Sequence, residues 1–214
     1  MKAVKLQLAT RTLLNPAAQQ WAKVPAEEIS LGGVPLHLQP TRYIRTAWAG
    51  KPLGAVRLLK VQAAHNRKDI AFRLEWEDET ENADCGDGTV FPDAAGIVFP
   101  LKKDAPLESM GSPKAPVNTW YWRANLSEGE AENLIGTGLG IVEETAKGFT
   151  QARARWENGR WTVVLARSLD VDGEGVQLAS EKATKVAFTV WEGSSQERAG
   201  LMSFSKHWRE LDIA

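Results

Sequence analysis

A methionine on an unusual loop is the first residue whose type and setting could support chemistry. Residues 109–116 read SMGSPKAP, and an aromatic strand, 117–122 (VNTWYW), follows directly. Glycine and proline at this density exclude a helix and predict a rigid loop. Met110 on such a loop, beside three large rings, suits a ligand for a soft metal. The alternative is a methionine that fills a gap in the core, which is the usual role of this residue.

A lysine at the start of a later strand is the second candidate. Residues 185–191 (KVAFTVW) alternate as a strand does. One face carries the apolar residues Val186, Phe188 and Val190. Lys185 begins the other face, which continues with Ala187, Thr189 and Trp191. That surface could accept a flat ligand beside the amine, whereas an exposed lysine is the ordinary alternative.

Composition limits the classes of protein. The chain has 214 residues, 43% hydrophobic and 25% charged, with a net charge of -1. This is typical of one soluble domain, and there is no basic excess that would indicate nucleic acid. Nine tryptophans against two tyrosines require a deep core or a flat ligand to cover them. Because Cys85 is the only cysteine, an internal disulfide and a covalently attached c-type haem are excluded.

The apolar pattern predicts repeated hairpins. Two extended runs flank a polar turn at 65–69, where His65 should be solvated, and two more flank Asn158-Gly159, the sequence preferred for a two-residue hairpin turn. A last strand is predicted over 203–213. We therefore expect an all-β fold, an antiparallel β-sandwich forming one domain over 1–214.

Three further segments interrupt the strands. Ser127 and Glu130 form a capping box that predicts a short helix ending in the glycines of 136–140. The acidic residues 75–88 suit either a calcium site or a solvated loop. Residues 1–50, rich in proline, predict an irregular lead-in that contacts a partner.

Several motifs, taken together, resemble a known family. They are the run from Met110 to Asn125 (MG…PVNTWYWRAN), the strand and turn 185–193 (KVAFTVWEG), and 197–200 (ERAG). The combination resembles the haem b-binding γ subunit of ethylbenzene dehydrogenase and its relatives, and the resemblance covers most of the chain from about residue 55 onward.

The resemblance implies a β-sandwich similar to carbohydrate-binding modules, with one haem b between a methionine and a lysine. Carried over to this chain, the iron ligands are Met110 and Lys185. The other cofactor-binding positions are Gly111, Asn118, Trp120 and Trp122. The competing residues Lys182, Lys206 and Met202 fall outside the matching motifs. With both axial positions filled, such a haem relays electrons and is not a catalyst.

The resemblance also implies partners. It predicts a heterotrimer with a molybdenum-cofactor α subunit and an iron-sulfur β subunit, and an external electron acceptor such as a cytochrome c. The branch that hydroxylates hydrocarbons is favoured, because residues 1–14 lack a signal-peptide core. We therefore expect a periplasmic protein exported with its partner, or a cytoplasmic one without such export. No segment reaches transmembrane length.

Two other classes of function are alternatives. A stand-alone carbohydrate- or ligand-binding module would stack its ligand on exposed tryptophans. An independent hydrolase has little support, because no Ser/His/Asp or Cys/His arrangement is recognisable in the sequence.

Overall fold

Strands dominate the molecule. The computed structural model describes residues 1–84, 88–145 and 150–214. The strands in these ranges are β1 (Lys2–Lys5), β2 (Glu27–Gly33), β3 (Leu58–His65), β4 (Asp69–Glu77), β5 (Ala94–Pro100), β6 (Val117–Arg123), β7 (Glu132–Gly138), β8 (Ile141–Glu144), β9 (Thr150–Trp156), β10 (Arg160–Ser168), β11 (Lys182–Trp191), β12 (Ser203–Ser205) and β13 (Arg209–Ile213). The helices are α1 (Thr10–Leu13) and α2 (Arg42–Ala47). The expected all-β fold is confirmed.

The strands form two layers joined through β2. One layer has the order β8-β7-β6-β5-β11-β12, and the other has the order β3-β4-β10-β9. The first half of β2 pairs with β3 and its second half with β12. The layers meet on an aromatic core, in which Phe72 lies 5.9 Å from Trp120 and 6.2 Å from Phe188 between ring centroids. Each buried ring removes roughly 150–250 Å² from water, which makes this core the main source of stability.

The predicted hairpins are present in the expected register. Strands β9 and β10 pair Trp156 with Trp161. Asn158 and Gly159 have φ values of 53° and 71°, as the type I′ turn requires. Strands β3 and β4 form the other hairpin. The tail 203–213 forms β12 and β13, which are two strands and not one.

The helix predicted after Ser127 is wrong. Ser127 accepts a hydrogen bond from the Glu130 amide at 3.0 Å, which closes a turn, and β7 and β8 follow. Strand β7 pairs with β6 through backbone hydrogen bonds. Glycine has a low helix propensity, so the glycine-rich segment forms a strand and not the predicted helix. The solvated histidine is also wrong. His65 is fully buried, and its Nε2 contacts the Ala214 carbonyl, because β1 and the chain end cover this turn.

Residues 1–50 are more regular than expected. They contain β1, β2 and both helices, and β1 pairs in parallel with β3 and with β13. Contact of this segment with a partner stays a prediction. In the described part of the chain, no helix is long and apolar enough to cross a membrane.

Candidate functional site

The Met110 loop is seated tightly against the outer face of the β6–β7 layer. Met110 and Gly111 have φ values of +54° and +88°. Their amides donate to the carbonyls of Leu107 at 2.9 Å and Pro106 at 2.8 Å. A Cβ on Gly111 would lie 2.4 Å from the Gly136 carbonyl oxygen. Only glycine fits this contact, so the loop holds Met110 at a fixed position.

A cavity of about 420 Å³ opens beside Met110. Its lining comprises Met110, Thr119, Tyr121, Arg123, Glu132, Leu134, Gly136, Gly138, Leu139, Gly140, Val142, Glu144, Trp191, Ala199 and Met202. On β7, Leu134 is followed on the same face by two glycines. Because glycine has no side chain, the part of the cavity wall that β7 forms is nearly flat. The cavity is of the size of small-ligand sites and is mainly apolar.

Two aromatic rings form part of its wall. Tyr121 and Trp191 meet edge to face at 5.3 Å between centroids. The indole Nε1 of Trp191 donates to the Ala199 carbonyl at 2.9 Å. Because hydrogen bonding and packing fix Trp191, the wall is rigid before any ligand binds.

Among the residues that the structure describes, one cationic side chain lines the cavity. Arg123 donates from Nη2 to Glu132 at 2.9 Å. Its Nε is buried without a hydrogen-bond partner among the described residues. A buried unpaired donor is costly, and an acidic group on a ligand would satisfy it with a charge-assisted hydrogen bond.

Two methionines, Met110 and Met202, are among the described lining residues of this cavity. Met110 is 8% exposed and Met202 is 2% exposed, and both belong to one apolar cluster on the outer face. Sequence reasoning placed Met202 outside the matching motifs and missed its role as a lining residue. The available signal was weak: Met202 lies two residues before Phe204, on the same face of an alternating segment.

Lys185 lines a different cavity. That space is about 310 Å³ and includes Lys102, Lys103 and Glu210. Lys185 is in register with Glu210 of β13. The role of Lys185 as an iron ligand stays a prediction. Lys182 and Lys206 are exposed.

The other motif residues of β6 face the interior of the sandwich. Trp120 and Trp122 belong to the aromatic core between the layers. Asn118 is buried and donates to Asn133 Oδ1 at 2.9 Å, while accepting from the Val176 amide at 3.0 Å. These three residues thus lie behind the cavity wall. The β6 side chains that reach the cavity are the alternate ones, Thr119, Tyr121 and Arg123.

A buried acidic cluster lies elsewhere. Asp78, Asp93 and Glu192 each place a carboxylate oxygen within 4.8 Å of the others. Burial, and then the charge of Asp93, raise the pKa of Asp78 to about 7. Burial also raises the pKa of Asp93, against its hydrogen bonds from the amides of Gly193 and Asn82. These backbone contacts identify the cluster as a network that joins loops. Cys85, from the same acidic segment, lies outside the described residues.

Another cavity offers a less suitable setting for a flat ligand. It has about 790 Å³ and includes Lys60, Glu75, Glu77 and Arg160. Lys60 and Arg160 lie 3.4 and 3.8 Å from Glu75. Several of its charged side chains already pair with one another, and its described lining contains no methionine, histidine or cysteine that could serve as a soft ligand.

The fold is that of a known class of β-sandwich. A family 9 carbohydrate-binding module from Caldicellulosiruptor kristjanssonii, solved with glucose, matches with a TM-score of 0.53 and 7% identity, over 100% of this chain and 95% of its own. A candidate carbohydrate-binding protein from Bacteroides uniformis matches with a TM-score of 0.55 and 10% identity, over 99% and 97%. At these identities the likeness concerns the fold alone.

The sequence relatives identify the family. The ethylbenzene dehydrogenase family model matches residues 18–148 and 132–203. The γ subunit of chlorate reductase from Ideonella dechloratans is 32% identical over 96% of this chain and 82% of its own. A Haloferax mediterranei protein, named as a candidate haem subunit of a respiratory nitrate reductase, is 33% identical over 90% of this chain, which spans 66% of that relative. The γ subunit of dimethylsulfide dehydrogenase from Rhodovulum sulfidophilum is 28% identical over 92% and 74%. This chain belongs to the ethylbenzene dehydrogenase family, as its motifs predicted.

Proposed function

We propose that this chain is an electron-transfer subunit that holds one non-covalent haem b in the cavity beside Met110. The observation that carries the proposal is the cavity itself. It combines a buried thioether on a fixed loop, a flat apolar wall and an unpaired arginine donor. These are the groups that a porphyrin with an iron centre and acidic side chains requires. The name of the Haloferax relative, a haem subunit, supports the same cofactor.

The residues of the cavity have separate roles in this proposal. Met110 is an iron ligand, and the rings of Tyr121 and Trp191 cover the macrocycle and exclude water. Arg123 receives an acidic side chain of the cofactor. When bound, haem accepts and releases one electron, and a methionine ligand raises its reduction potential. In this proposal the chain supplies the setting of the haem, and conversion of the substrate is assigned to a partner subunit.

The proposed partners are a molybdenum-containing α subunit and an iron-sulfur β subunit in a heterotrimer. Two relatives are named as γ subunits, of chlorate reductase and of dimethylsulfide dehydrogenase, which supports a multisubunit enzyme. Electrons would reach this chain from iron-sulfur clusters and leave to an external acceptor such as a cytochrome c. Hydrocarbon hydroxylation by the α subunit and a periplasmic location are parts of the same proposal.

Carbohydrate binding has weaker support. Sugar-binding modules stack their ligands on exposed aromatic rings. All nine tryptophans of this chain lie in the described residues, and each of them is buried or partly buried. The fold is shared with such modules, but the stacking platform is not evident.

Absorption spectroscopy tests the proposal. The full chain, supplied with haem b, should give a 1:1 complex with the sharp bands of six-coordinate low-spin iron when reduced. Met110→Leu preserves the apolar volume and removes the sulfur donor. We expect it to fold, as judged by circular dichroism, and to lose the low-spin bands. A chain that remains colourless after haem addition, or a Met110→Leu variant with the wild-type spectrum, contradicts the proposal.

A further inference from the structure

We infer that residues 39–53 form the docking surface for an acidic face of the iron-sulfur subunit. This inference rests on the proposed electron-transfer function and names the part of the chain that meets that partner. The charges of the sequence are segregated around this segment. Residues 29–68 contain seven lysine or arginine residues and no aspartate or glutamate, although the whole chain has a net charge of -1. A surface of one sign favours a partner surface of the opposite sign.

The cations of residues 39–53 are not neutralised by ion pairs within the described chain. Arg42 and Lys51 are exposed, and Arg45 is partly exposed. Among the residues that the structure describes, none of these three side chains forms an ion pair. By contrast, Arg155 on β9 pairs with Glu157 at 2.6 Å. The three positive charges are therefore available to carboxylates of a partner.

An aromatic ring stands among these cations. Tyr43 lies on α2 between Arg42 and Arg45, and it is 80% exposed, the highest value among the large apolar side chains of the described residues. Tyrosine and arginine are the residue types enriched at the energetic centres of protein interfaces. A large ring in water is typical of a permanent contact with another subunit, whereas a brief encounter with an external acceptor relies mainly on charge. This difference favours the iron-sulfur subunit as the occupant.

The segment is preformed as a docking surface. Thr41 caps α2 through its hydroxyl, which accepts a backbone amide hydrogen bond at 3.2 Å. The ammonium group of Lys51 lies 5.3 Å from the ring centroid of Trp48. Arg45 donates a hydrogen bond to the carbonyl of Gln39. Because these contacts already restrict the charged side chains, less conformational entropy is lost when a partner binds.

The same segment is anchored beside the cavity of Met110. At its start, Gln39 is 1% exposed and donates from Nε2 to the Gly200 carbonyl at 2.7 Å. Gly200 lies between Ala199 and Met202, which both line the cavity. A subunit that docks on residues 39–53 therefore lies next to the proposed haem, and electron transfer requires that the two centres be close.

Site-specific photo-crosslinking in the assembled complex tests this contact. A photoreactive phenylalanine analogue replaces Tyr43 or, as a control, the exposed Lys68 on the turn between β3 and β4. The chain is produced in cells that also make its partner subunits, and the crosslinked protein is identified by mass spectrometry. We expect position 43 to crosslink to the iron-sulfur subunit and position 68 to give little of that product.

Charge reversal gives an independent readout. The double variant Arg42→Glu/Lys51→Glu places acidic side chains against the acidic partner, so we expect it to retain at least about tenfold less iron-sulfur subunit than wild type on purification. Lys68→Glu/Lys182→Glu changes the net charge equally at other exposed positions and should retain the wild-type amount. Both double variants should bind haem with the wild-type spectrum, because neither changes the cavity. Added salt should weaken retention by wild type.

The outcomes separate this inference from the proposed function. If wild type binds haem but position 43 crosslinks only to an external acceptor, or to no protein, the inference is overturned and the haem function stands. Equal loss of the iron-sulfur subunit in the two double variants would also overturn the inference, because a general effect of charge would explain it. If wild type retains no haem and no iron-sulfur subunit accompanies it, the proposed function fails and the inference fails with it.

Discussion

The two faces of β6 perform different tasks with adjacent residues. On the inner face, Trp120 is fully buried, and its ring lies 4.8 Å from Phe99 and 5.9 Å from Phe72. On the outer face, Tyr121 and Arg123 line a cavity and keep contact with open space. The inner face is filled to the density of a core, and the outer face is left unfilled. Stability and ligand binding are therefore separable along a single strand.

The neighbouring strands repeat this division. On β11, Phe188 packs into the core and Trp191 lines the cavity. On β7, glycines at 136 and 138 occupy positions on the cavity side where large residues would fill the space. A site of this kind needs a rigid inner face behind it, since the outer wall is preorganised only if the strands do not move.

Replacement of a ring on each face gives the largest expected effect. Trp120→Ala should lower the free energy of unfolding by about 3–5 kcal/mol, because a large cavity forms in the core. Tyr121→Ala should cost much less stability and should mainly weaken haem binding. Denaturant unfolding of the haem-free chain measures the first effect, and haem titration measures the second. Equal destabilisation by the two variants would show that the faces are not separable.

The sequence specified the strands and their alternation, but not which face is inner. Period-two alternation assigns Asn118, Trp120 and Trp122 to one face and Thr119, Tyr121 and Arg123 to the other. The resemblance to the family predicts that Trp120 and Trp122 contact the cofactor. In the structure they form the core, because the second layer of the sandwich covers that face. This choice depends on a partner sheet far away in the chain, which local pattern does not encode.

The sequence predicts only part of the candidate site, because the rest depends on pairing between strands that are distant in the chain. Met110 was found because glycine and proline mark its loop locally. The pairing of Met110 with Lys185 stays a prediction, and Lys185 lines a different cavity. Met202 lines the cavity because the strand that follows it, β12, pairs with β11 and β2. Such long-range pairing has no local signature in a three-residue strand.

The acidic cluster gives a second comparison, between the mainly apolar cavity beside Met110 and a region whose carboxylates titrate. The pKa of Asp78 is raised from 3.8 to about 7, so the folded chain keeps this proton when the unfolded chain has lost it. Stability from Asp78 is therefore full below about pH 4 and declines as the pH rises to about 7. Each unit by which the pKa differs between the folded and the unfolded chain corresponds to about 1.4 kcal/mol. The free energy of unfolding should therefore decline by more than about 1 kcal/mol over this pH range.

Asp78→Asn tests this decline. The amide stays neutral, and its oxygen can still accept from Trp76 Nε1, which lies 3.4 Å from the carboxylate. The difference in unfolding free energy between the variant and wild type should grow in favour of the variant as the pH rises from about 4 to about 7. Taking the difference removes the opposite contribution of His65, whose pKa is lowered by burial. Parallel stability curves for the two proteins would contradict the prediction, and haem affinity should not follow the same curve.

The smallest expected effect distinguishes the arginines that could hold the acidic side chains of the cofactor. Arg123 lines the cavity and has a buried, unpaired Nε, whereas Arg155 is exposed and pairs with Glu157 at 2.6 Å. Because a charge-assisted hydrogen bond contributes roughly 1.5–3 kcal/mol, Arg123→Ala should weaken haem binding about tenfold or more. Arg155→Ala, the matched control, should change neither haem affinity nor stability by more than about 0.5 kcal/mol. Equal loss of affinity in both variants would indicate a general effect of charge and would remove the reason to orient the acidic edge of the haem toward β6.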